Sequence, residues 1–296
     1  MAKTMQHTLA APARLSGVAL HSGRQVRIRI CPAPADTGVV FQRIDLSGPD
    51  NLVAAKCEAV TETRLGTAIG SASGTTVSTI EHLMAALCVL GVDNAIVEVD
   101  GPEIPILDGS ATAFVQALDR AGRRPLPQPR RFLEILETIE VIEGAKRAAL
   151  VPSPDFEVDF EIDFASKAIG RQRIDLVVDE TSFRRELADN RTFGFLADLE
   201  ALRAGGRAHG GSLDNVVVID GDRVINPGGL RRPDEFVRHK ALDAIGDLYL
   251  LGAPLMGRYE GRYAGHGLNN ALARALMADP SAWRYTWRDQ ELAAAS

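Results

Sequence analysis

The sequence predicts an α+β fold with two domains, each combining a sheet with helices. Strand-like and helix-like segments follow one another in a similar order in the two halves of the chain. Strands followed by helices are typical of α+β layers rather than of a doubly wound parallel sheet. A stretch with three prolines in five residues, 125–129, separates the halves, and proline is excluded from helix interiors and central strands. We expect an N-terminal domain (1–124), a Pro-rich linker (125–131) and a C-terminal domain (132–296).

The first half alternates strand and helix patterns. Apolar residues at every second position predict a strand over 25–30. Further expected elements are strands over 39–44 and 94–99, a loop or edge hairpin over 66–76, and helices over 78–90 and 111–121. Glycines at 91 and 122 are expected to end the two helices.

The second half continues the same alternation. The expected strands cover 132–141, 148–151, 156–164, 171–177 and 216–220, with a hairpin partner for the last beginning at 222. The expected helices cover 195–204, 233–251 and 269–278. No residue-level repeat relates the two halves.

The bulk composition excludes several classes of protein. The chain has 296 residues, of which 46% are hydrophobic and 24% charged, as in soluble globular proteins. A net charge of -6 argues against a general nucleic-acid binder. Three separated cysteines without a CxxC pair indicate neither a disulfide framework nor a thiolate zinc site, so we expect the reducing cytoplasm. No apolar run predicts a signal peptide or a membrane span.

The most informative segment is the helix pattern over 233–251. His239 and Asp243 are four residues apart, which places both side chains on one helix face, one turn apart. An imidazole and a carboxylate in this arrangement form half of a divalent-metal site. The alternative is a surface hydrogen bond on a solvated face. Lys240 and Asp247 lie in the same turns, and four ionisable groups beside an apolar stripe are costly to bury without a function.

Glu81 and His82 stand near the start of another predicted helix. Ser78 and Glu81 have the spacing of a capping box, which is a purely structural interpretation. The functional interpretation makes Glu81 a general base beside the metal ligand His82. His82, His239 and Asp243 would then supply the three protein ligands that a catalytic zinc site usually has.

Two further segments contain candidate site residues. His266 lies between glycines, and it is either a surface histidine or a general acid whose charged form Asp247 stabilises. Thr192 is either an oxyanion donor or a helix N-cap. Phe193 and Phe195 are either core residues or contacts for a sugar or base. The Pro-rich turn over 102–110 is interpreted as structural.

Taken together, several segments closely resemble one family, the UDP-3-O-acyl-N-acetylglucosamine deacetylases. The resemblance rests on TIEHL (79–83), GPEIPILDGS (101–110), RTFGF (191–195), FVRHK (236–240) and GHGLNN (265–270). These motifs occur in the order of the family, and the similarity extends from about Val18 to Trp287. The family consists of zinc amidases that perform the committed step of lipid A biosynthesis.

The resemblance implies a fold and a set of roles. The two domains would pack helix layer against helix layer, with the site between them. Zinc, or ferrous iron in the cell, would be held by His82, His239 and Asp243; both metals accept nitrogen and oxygen ligands. The implied roles are general base for Glu81, general acid for His266, oxyanion donor for Thr192, orientation of His266 for Asp247, and sugar-nucleotide contact for Lys240 and Phe193.

The resemblance also implies a passage for the acyl chain of the substrate, formed by an insert over about 196–218. The residues expected to line it are Leu196, Leu199, Ala208, Val216 and Val218, with Leu20 nearby. His21 matches a histidine near the site and has no assigned role. Arg207 and His209 make this insert more polar than that of many relatives, which leaves the preferred acyl length open.

The expected function is hydrolysis of the acetamide of a UDP-linked, 3-O-acylated N-acetylglucosamine by a cytoplasmic monomer. No nucleic-acid partner is expected, and contact with the inner-membrane surface would be transient. Two alternatives stay open at this point. One is a zinc hydrolase of another N-acyl sugar, and the other is a non-catalytic protein that binds a sugar nucleotide or lipid.

Overall fold

The computed structural model describes residues 3–289, so residues 1–2 and 290–296 of the predicted domains lie outside the described part. It shows a mixed α+β architecture with several sheets and, within the described range, six α-helices. The expected fold class is confirmed. No helix among the described residues is both long and apolar enough to cross a bilayer.

From residue 3 onward, the described part of the first half contains ten strands and two α-helices. The strands are β1 (Met5–Leu9), β2 (Ala13–Val18), β3 (Gln25–Pro32), β4 (Val39–Arg43), β5 (Leu52–Ala54), β6 (Val60–Glu62), β7 (Ala68–Gly70), β8 (Thr76–Val77), β9 (Ala95–Val99) and β10 (Arg123–Pro129). The helices are α1 (Glu81–Val89) and α2 (Thr112–Ala121).

Up to residue 289, the second half contains ten strands and four α-helices. The strands are β11 (Phe132–Ile135), β12 (Ile139–Glu143), β13 (Lys146–Val151), β14 (Phe156–Asp163), β15 (Arg171–Val177), β16 (Phe193–Phe195), β17 (Val217–Asp220), β18 (Arg223–Val224), β19 (Leu255–Arg262) and β20 (Trp283–Thr286). The helices are α3 (Glu180–Ser182), α4 (Leu199–Ala204), α5 (Glu235–Tyr249) and α6 (His266–Ala278).

The main sheet of the first half has the strand order β2-β3-β9-β4-β5. Strand β9 pairs antiparallel with β3 and parallel with β4. Along β3, Val26, Ile28 and Ile30 are buried and the residues between them are exposed. This alternation confirms the predicted strand, because only one face of the sheet is covered by the helices.

The main sheet of the second half is organised around β19, which pairs with β13, β14 and β11. The sequence analysis missed this strand because two glycines, Gly257 and Gly261, interrupt its pattern. Both are required by packing: a Cβ on Gly257 would lie 2.5 Å from Cγ1 of Ile135, and one on Gly261 would lie 2.9 Å from the ring of Tyr259. Glycine in a strand often marks such a close approach.

The segment predicted as a linker forms strand β10, which pairs antiparallel with β1. A two-stranded ribbon tolerates proline because positions without a ladder donor are available on its edges. The segment is therefore regular and paired rather than irregular. The division of the chain into two domains at this segment stays a prediction.

Three predicted helix starts are wrong. Helix α1 begins at Glu81, because Thr79 adopts a left-handed conformation with φ 57° and Ser78 donates its hydroxyl to the Pro102 carbonyl. The capping-box interpretation of Glu81 is therefore wrong. Helix α6 begins at His266 instead of 269. The segment expected as a helix from 195 begins with the end of β16. A 3-10 turn over Leu196–Asp198 follows, and the α-helix starts at Leu199.

The helices form the layer between the two main sheets. Helix α1 packs against α5 and α2, and α5 packs against α6. The stripe predicted along α5 is buried, with Val237, Ala241, Ala244 and Ile245 at 0% exposure. Helices from both halves therefore share one core.

Glu235, wholly buried in the first turn of α5, anchors the segment that precedes β16. Its carboxylate accepts hydrogen bonds from the backbone N, Nε and Nη2 of Arg191 and from the backbone N of Arg231. Burial alone would raise the pKa of Glu235, but these donors outweigh it and lower the pKa. The ion pair thereby fixes residues 190–195 against α5.

We predict that Glu235→Gln lowers the free energy of unfolding by about 3 kcal/mol, because it leaves the Arg191 guanidinium buried without a counter-charge. The matched control is Arg27→Ala, whose ion pair with Asp100 is solvent-exposed on the arginine side and is expected to contribute about 1 kcal/mol or less. Denaturant unfolding measures both. Equal losses in the two variants would contradict the structural role of Glu235.

Candidate metal centre and active site

Three buried side chains converge between α1 and α5. His82 lies in the first turn of α1, and His239 and Asp243 lie one turn apart on α5. Oδ1 of Asp243 lies 3.5 Å from Nε2 of His82 and 3.3 Å from Nε2 of His239. All three side chains are at most 4% exposed. The alternative of a solvated surface pair is therefore wrong, and the three residues form a candidate metal site.

The donor chemistry of these residues fits a divalent cation. Oδ1 of Asp243 is buried and has no hydrogen-bond partner. Nδ1 of His239 lies 3.0 Å from the Asn190 carbonyl oxygen, which accepts its proton and leaves Nε2 as a lone-pair donor. Burial lowers the pKa of His239 to about 4, so its imidazole is neutral as metal ligation requires. Burial opposes ionisation of Asp243, but His239 and Lys240 hold its pKa well below the usual range.

Glu81 is buried beside the metal ligands without belonging to the set. Its Oε2 accepts a hydrogen bond of 3.0 Å from the backbone N of Thr67. Gly66 has φ +147°, and a Cβ there would lie 3.0 Å from Glu81 Oε1. Burial raises the pKa of Glu81, which makes the carboxylate a better proton acceptor.

His266 approaches from the first turn of α6 and is held by Asp247. Its Nδ1 lies 2.8 Å from Oδ2 of Asp247, and its Nε2 lies 3.8 Å from Oδ2 of Asp243. Burial would lower the pKa of His266, but Asp247 outweighs it and raises the pKa to about 9. The Asp247 carboxylate therefore favours the protonated form of His266, and Nε2 of His266 faces the candidate metal ligands. The surface alternative for His266 is wrong, since its side chain is only 11% exposed.

Lys240 and Phe193 border the ligands on the open side. Nζ of Lys240 lies 3.2 Å from Oδ2 of Asp243. The ring of Phe193 stands edge-on to His239 and Phe236, at centroid distances of 6.4 Å and 5.0 Å. Phe193 is thus both a packing residue and a wall of the site.

Thr192 immediately precedes a strand, β16, so the N-cap alternative is wrong. Its backbone N donates to the Gly109 carbonyl, and its carbonyl accepts from the backbone N of Val217. Phe195, at the end of the same strand, packs against Phe164 at 6.0 Å. The backbone bonds on both sides of Thr192 fix its position at the site.

One cavity of about 660 Å³ unites most of the predicted site residues. Its lining includes the predicted residues Leu20, Thr192, Phe193, Phe195, Leu196, Leu199, Ala208, Val216, Val218, His239, Lys240, Asp243 and His266. The cavity therefore joins metal ligands to an apolar wall built by the insert. His21 also lines it, whereas His209 contributes a backbone hydrogen bond to the His21 carbonyl.

Three buried residues around the site were missed by the sequence analysis. Thr67 and Asn269 both donate to Asp247, at 2.6 Å and 2.8 Å. Glu103 accepts from the backbone N of His21 and of the next residue, and so fixes the turn that carries His21. Thr67 lies in a loop rich in small residues, and no motif in that loop indicates a functional residue. Glu103 lies in the segment interpreted as structural, and its contacts agree with that interpretation.

The helices that carry the ligands cross at unusually short range. A Cβ on Gly246 of α5 would lie 2.0 Å from the backbone oxygen of Glu81 on α1. Only glycine permits this approach, since no side chain can give way when the neighbour is backbone. The crossing brings His82 within reach of His239 and Asp243.

The chain is similar to known proteins over nearly its whole length. Residues 6–278 match the family model described as UDP-3-O-acyl N-acetylglycosamine deacetylase. A UDP-3-O-acyl-N-acetylglucosamine deacetylase from Phenylobacterium zucineum (strain HLK1) is 65% identical over 290 residues, which cover 98% of this chain and 99% of that protein. Those of Shewanella sp. (strain W3-18-1) and Shewanella frigidimarina (strain NCIMB 400) are each 47% identical, over 97% of this chain and 94% of theirs.

We predict that Gly246→Ala weakens metal binding by at least about tenfold, because separating the two helices displaces His82 from the other ligands. The measurement is competition for zinc with a chelator of known affinity. Gly228→Ala is the matched control, since a Cβ there meets no atom within 4 Å. Unchanged zinc affinity in Gly246→Ala would show that the close crossing does not set the ligand geometry.

Proposed function

The chain belongs to the UDP-3-O-acyl-N-acetylglucosamine deacetylase family, and we propose that it hydrolyses the acetamide of a UDP-linked, 3-O-acylated N-acetylglucosamine. The products are acetate and the free amine, and the reaction is the committed step of lipid A biosynthesis. One observation supports this assignment above the others. A buried His-His-Asp set lies beside a carboxylate and a charged imidazole, in a cavity that continues along an apolar wall.

We propose zinc as the ion held by Nε2 of His82, Nε2 of His239 and Oδ1 of Asp243, with ferrous iron as the alternative in the cell. Two imidazoles and one carboxylate suit both ions. When bound, the ion lowers the pKa of a water molecule and polarises the scissile carbonyl.

The proton transfers are assigned to Glu81 and His266. Glu81 accepts a proton from the attacking water, for which the raised pKa of its buried carboxylate suits it. A carbon–oxygen bond forms to the acetyl carbon, and the carbon–nitrogen bond then breaks. His266 donates the proton that the departing amine needs, from Nε2, because its Nδ1 is engaged by Asp247. Thr192 donates its hydroxyl to the developing oxyanion.

Substrate recognition is assigned to the remaining lining residues. Lys240 and Phe193 contact the sugar nucleotide, with Lys240 supplying the positive charge that a diphosphate requires. The acyl chain lies along the residues of the insert and Leu20. An apolar wall with a few polar groups at one end is the usual composition of a small-molecule site.

We further propose a cytoplasmic monomer of two domains, divided at 125–131, that meets the inner-membrane surface only transiently. Cys31, Cys57 and Cys88 are free thiols, which suits a reducing compartment. The acyl chain of the substrate supplies the reason for contact with a membrane surface.

The role assignments predict different outcomes for variants of neighbouring residues. Glu81→Gln and His266→Gln are expected to lower kcat by about 10²-fold or more, since each loses a proton transfer, while about one zinc per chain stays bound. His82→Ala is expected to lose the metal itself. Acetate release from the acylated UDP sugar and metal content are measured on the same samples. Wild-type turnover in either Gln variant would refute its assigned role.

Chelation tests the reaction as a whole. Removal of the metal is expected to abolish acetate release, and added zinc is expected to restore it. Release that survives complete metal removal would contradict a metal-dependent deacetylase. Bound metal without any acetate release would favour another N-acyl sugar as substrate.

If the apolar wall binds the acyl chain, a substitution there should weaken binding of the acylated substrate selectively. Val216→Phe fills part of the apolar wall, so KM for the 3-O-acylated substrate is expected to rise by about tenfold, equivalent to about 1.4 kcal/mol. KM for the analogue without an acyl chain should change little. Val177→Phe is the control, since Val177 lies half-exposed on β15 outside the cavity. Equal effects on both substrates would place the acyl chain elsewhere.

A further inference from the structure

Thr67 touches both of the groups to which proton transfer is assigned. Its backbone N donates to Oε2 of Glu81 at 3.0 Å, and its hydroxyl donates to Oδ1 of Asp247 at 2.6 Å. The same hydroxyl oxygen lies 3.3 Å from Nδ1 of His266. Thr67 is 2% exposed. A single buried residue thus bridges the carboxylate on α1 and the carboxylate–imidazole pair on α5 and α6.

The hydroxyl of Thr67 completes the hydrogen bonding of Asp247. Oδ2 of Asp247 accepts from Nδ1 of His266 and from Nδ2 of Asn269, and Thr67 supplies the donor to Oδ1. The side-chain amide of Asn269 is itself held by Tyr259, whose hydroxyl donates to Oδ1 of Asn269 at 2.6 Å. Without the Thr67 hydroxyl, the buried Oδ1 of Asp247 would lose its hydrogen-bond donor. The Asp247 carboxylate would then turn away from the position in which it orients His266.

The loop that carries Thr67 is fixed from two sides. The carbonyl oxygen of Leu65 lies 3.3 Å from Nε2 of His21. Arg207, in the insert, donates to the Arg64 carbonyl and to Glu62, both at 3.0 Å. Thr67 is therefore presented by a braced segment, which is what a group that orients others requires.

We propose that Thr67 is a positioning residue for the deacetylation: its backbone amide orients Glu81, and its hydroxyl orients Asp247 and, through it, His266. This inference rests on the proposed function, in which Glu81 accepts the proton and His266 supplies it. The hydroxyl part is separable by mutation, because the backbone amide is present in every variant at this position.

The test compares Thr67→Val, which keeps the shape and removes the hydroxyl, with Thr67→Ser, which keeps the hydroxyl. Thr67→Val is expected to lower kcat about tenfold with KM and zinc content within twofold of wild type, because a transition-state interaction is lost. Thr67→Ser is expected to regain kcat to within twofold of wild type. Thr61→Val is the matched control, since that exposed threonine makes only a 3.4 Å contact to the Ala68 carbonyl.

A second readout does not depend on turnover. The Nδ1 proton of His266 lies in a short bond to Asp247, so its proton NMR resonance should be found downfield in the zinc-loaded protein and be identified by its absence from His266→Gln. This resonance is expected to shift or broaden in Thr67→Val and to remain in place in Thr67→Ser and Thr61→Val.

Each outcome decides the inference. Wild-type kcat and an unmoved resonance in Thr67→Val would overturn it. A loss that Thr67→Ser does not reverse, or one that follows loss of zinc, would make Thr67 merely structural. If wild-type protein releases no acetate, the proposed function fails, and the NMR comparison still decides whether Thr67 orients the Asp247–His266 pair.

Discussion

The site depends on the close crossing of α1 and α5. The backbone of α1 passes so near Gly246 that no Cβ fits between them. This short separation brings Nε2 of His82 on one helix to 3.5 Å from Oδ1 of Asp243 on the other, and the ligand atoms of His82, His239 and Asp243 lie within 4.8 Å of one another. The two helices come from different halves of the chain, so the same contact that joins the halves also builds the ligand set. The crossing at Gly246 therefore determines both how the two helices pack and where the candidate metal ligands lie.

The helix layer contains an unusual amount of polar chemistry for a core. Glu81, His239, Asp243 and Asp247 are at most 4% exposed, in a layer otherwise made of aliphatic side chains. Isolated charges in such surroundings would be strongly disfavoured, so each is compensated by a neighbour or by a donor. Among these four groups the exception is Oδ1 of Asp243, which has no hydrogen-bond partner and which the proposed metal ion would engage.

Sequence reasoning correctly predicted the features that depend on residues close together in the chain. The spacing of His239 and Asp243 is read directly on a helix, and the alternation of β3 is read directly on a sheet. It failed where a distant contact decides the conformation. The start of α1 depends on Thr79 and on a bond from Ser78 to a remote carbonyl. The glycines of β19 are explained by side chains packed against them, Ile135 on β11 for Gly257 and Tyr259 and Phe160 for Gly261.

The residues of the candidate site also differ in how far they could be predicted from nearby sequence. The chemistry of catalytic zinc sites suggested grouping His82 with the α5 pair, and the resemblance to a known family implied the same ligand set, although no spacing connects these residues along the chain. The structure brings those residues together, and it adds Thr67, which the sequence left unmarked. A threonine in a loop of small residues matches no sequence motif. Its hydrogen-bond partners on α1 and α5 are distant in sequence, and only the folded structure brings them close to it.

The pairing of β1 with β10 has a consequence for how the molecule moves. A flexible proline-rich linker would let the halves swing apart as a hinge, with ligand entry through domain opening. Here the segment is a strand that pairs antiparallel with β1, from Met5 opposite Pro129 to Leu9 opposite Arg123. Opening such a hinge would also pull His82 away from His239 and Asp243 and dismantle the ligand set. The paired strands and the helix crossing therefore both oppose such a hinge motion, and the two halves are expected to stay together as one frame.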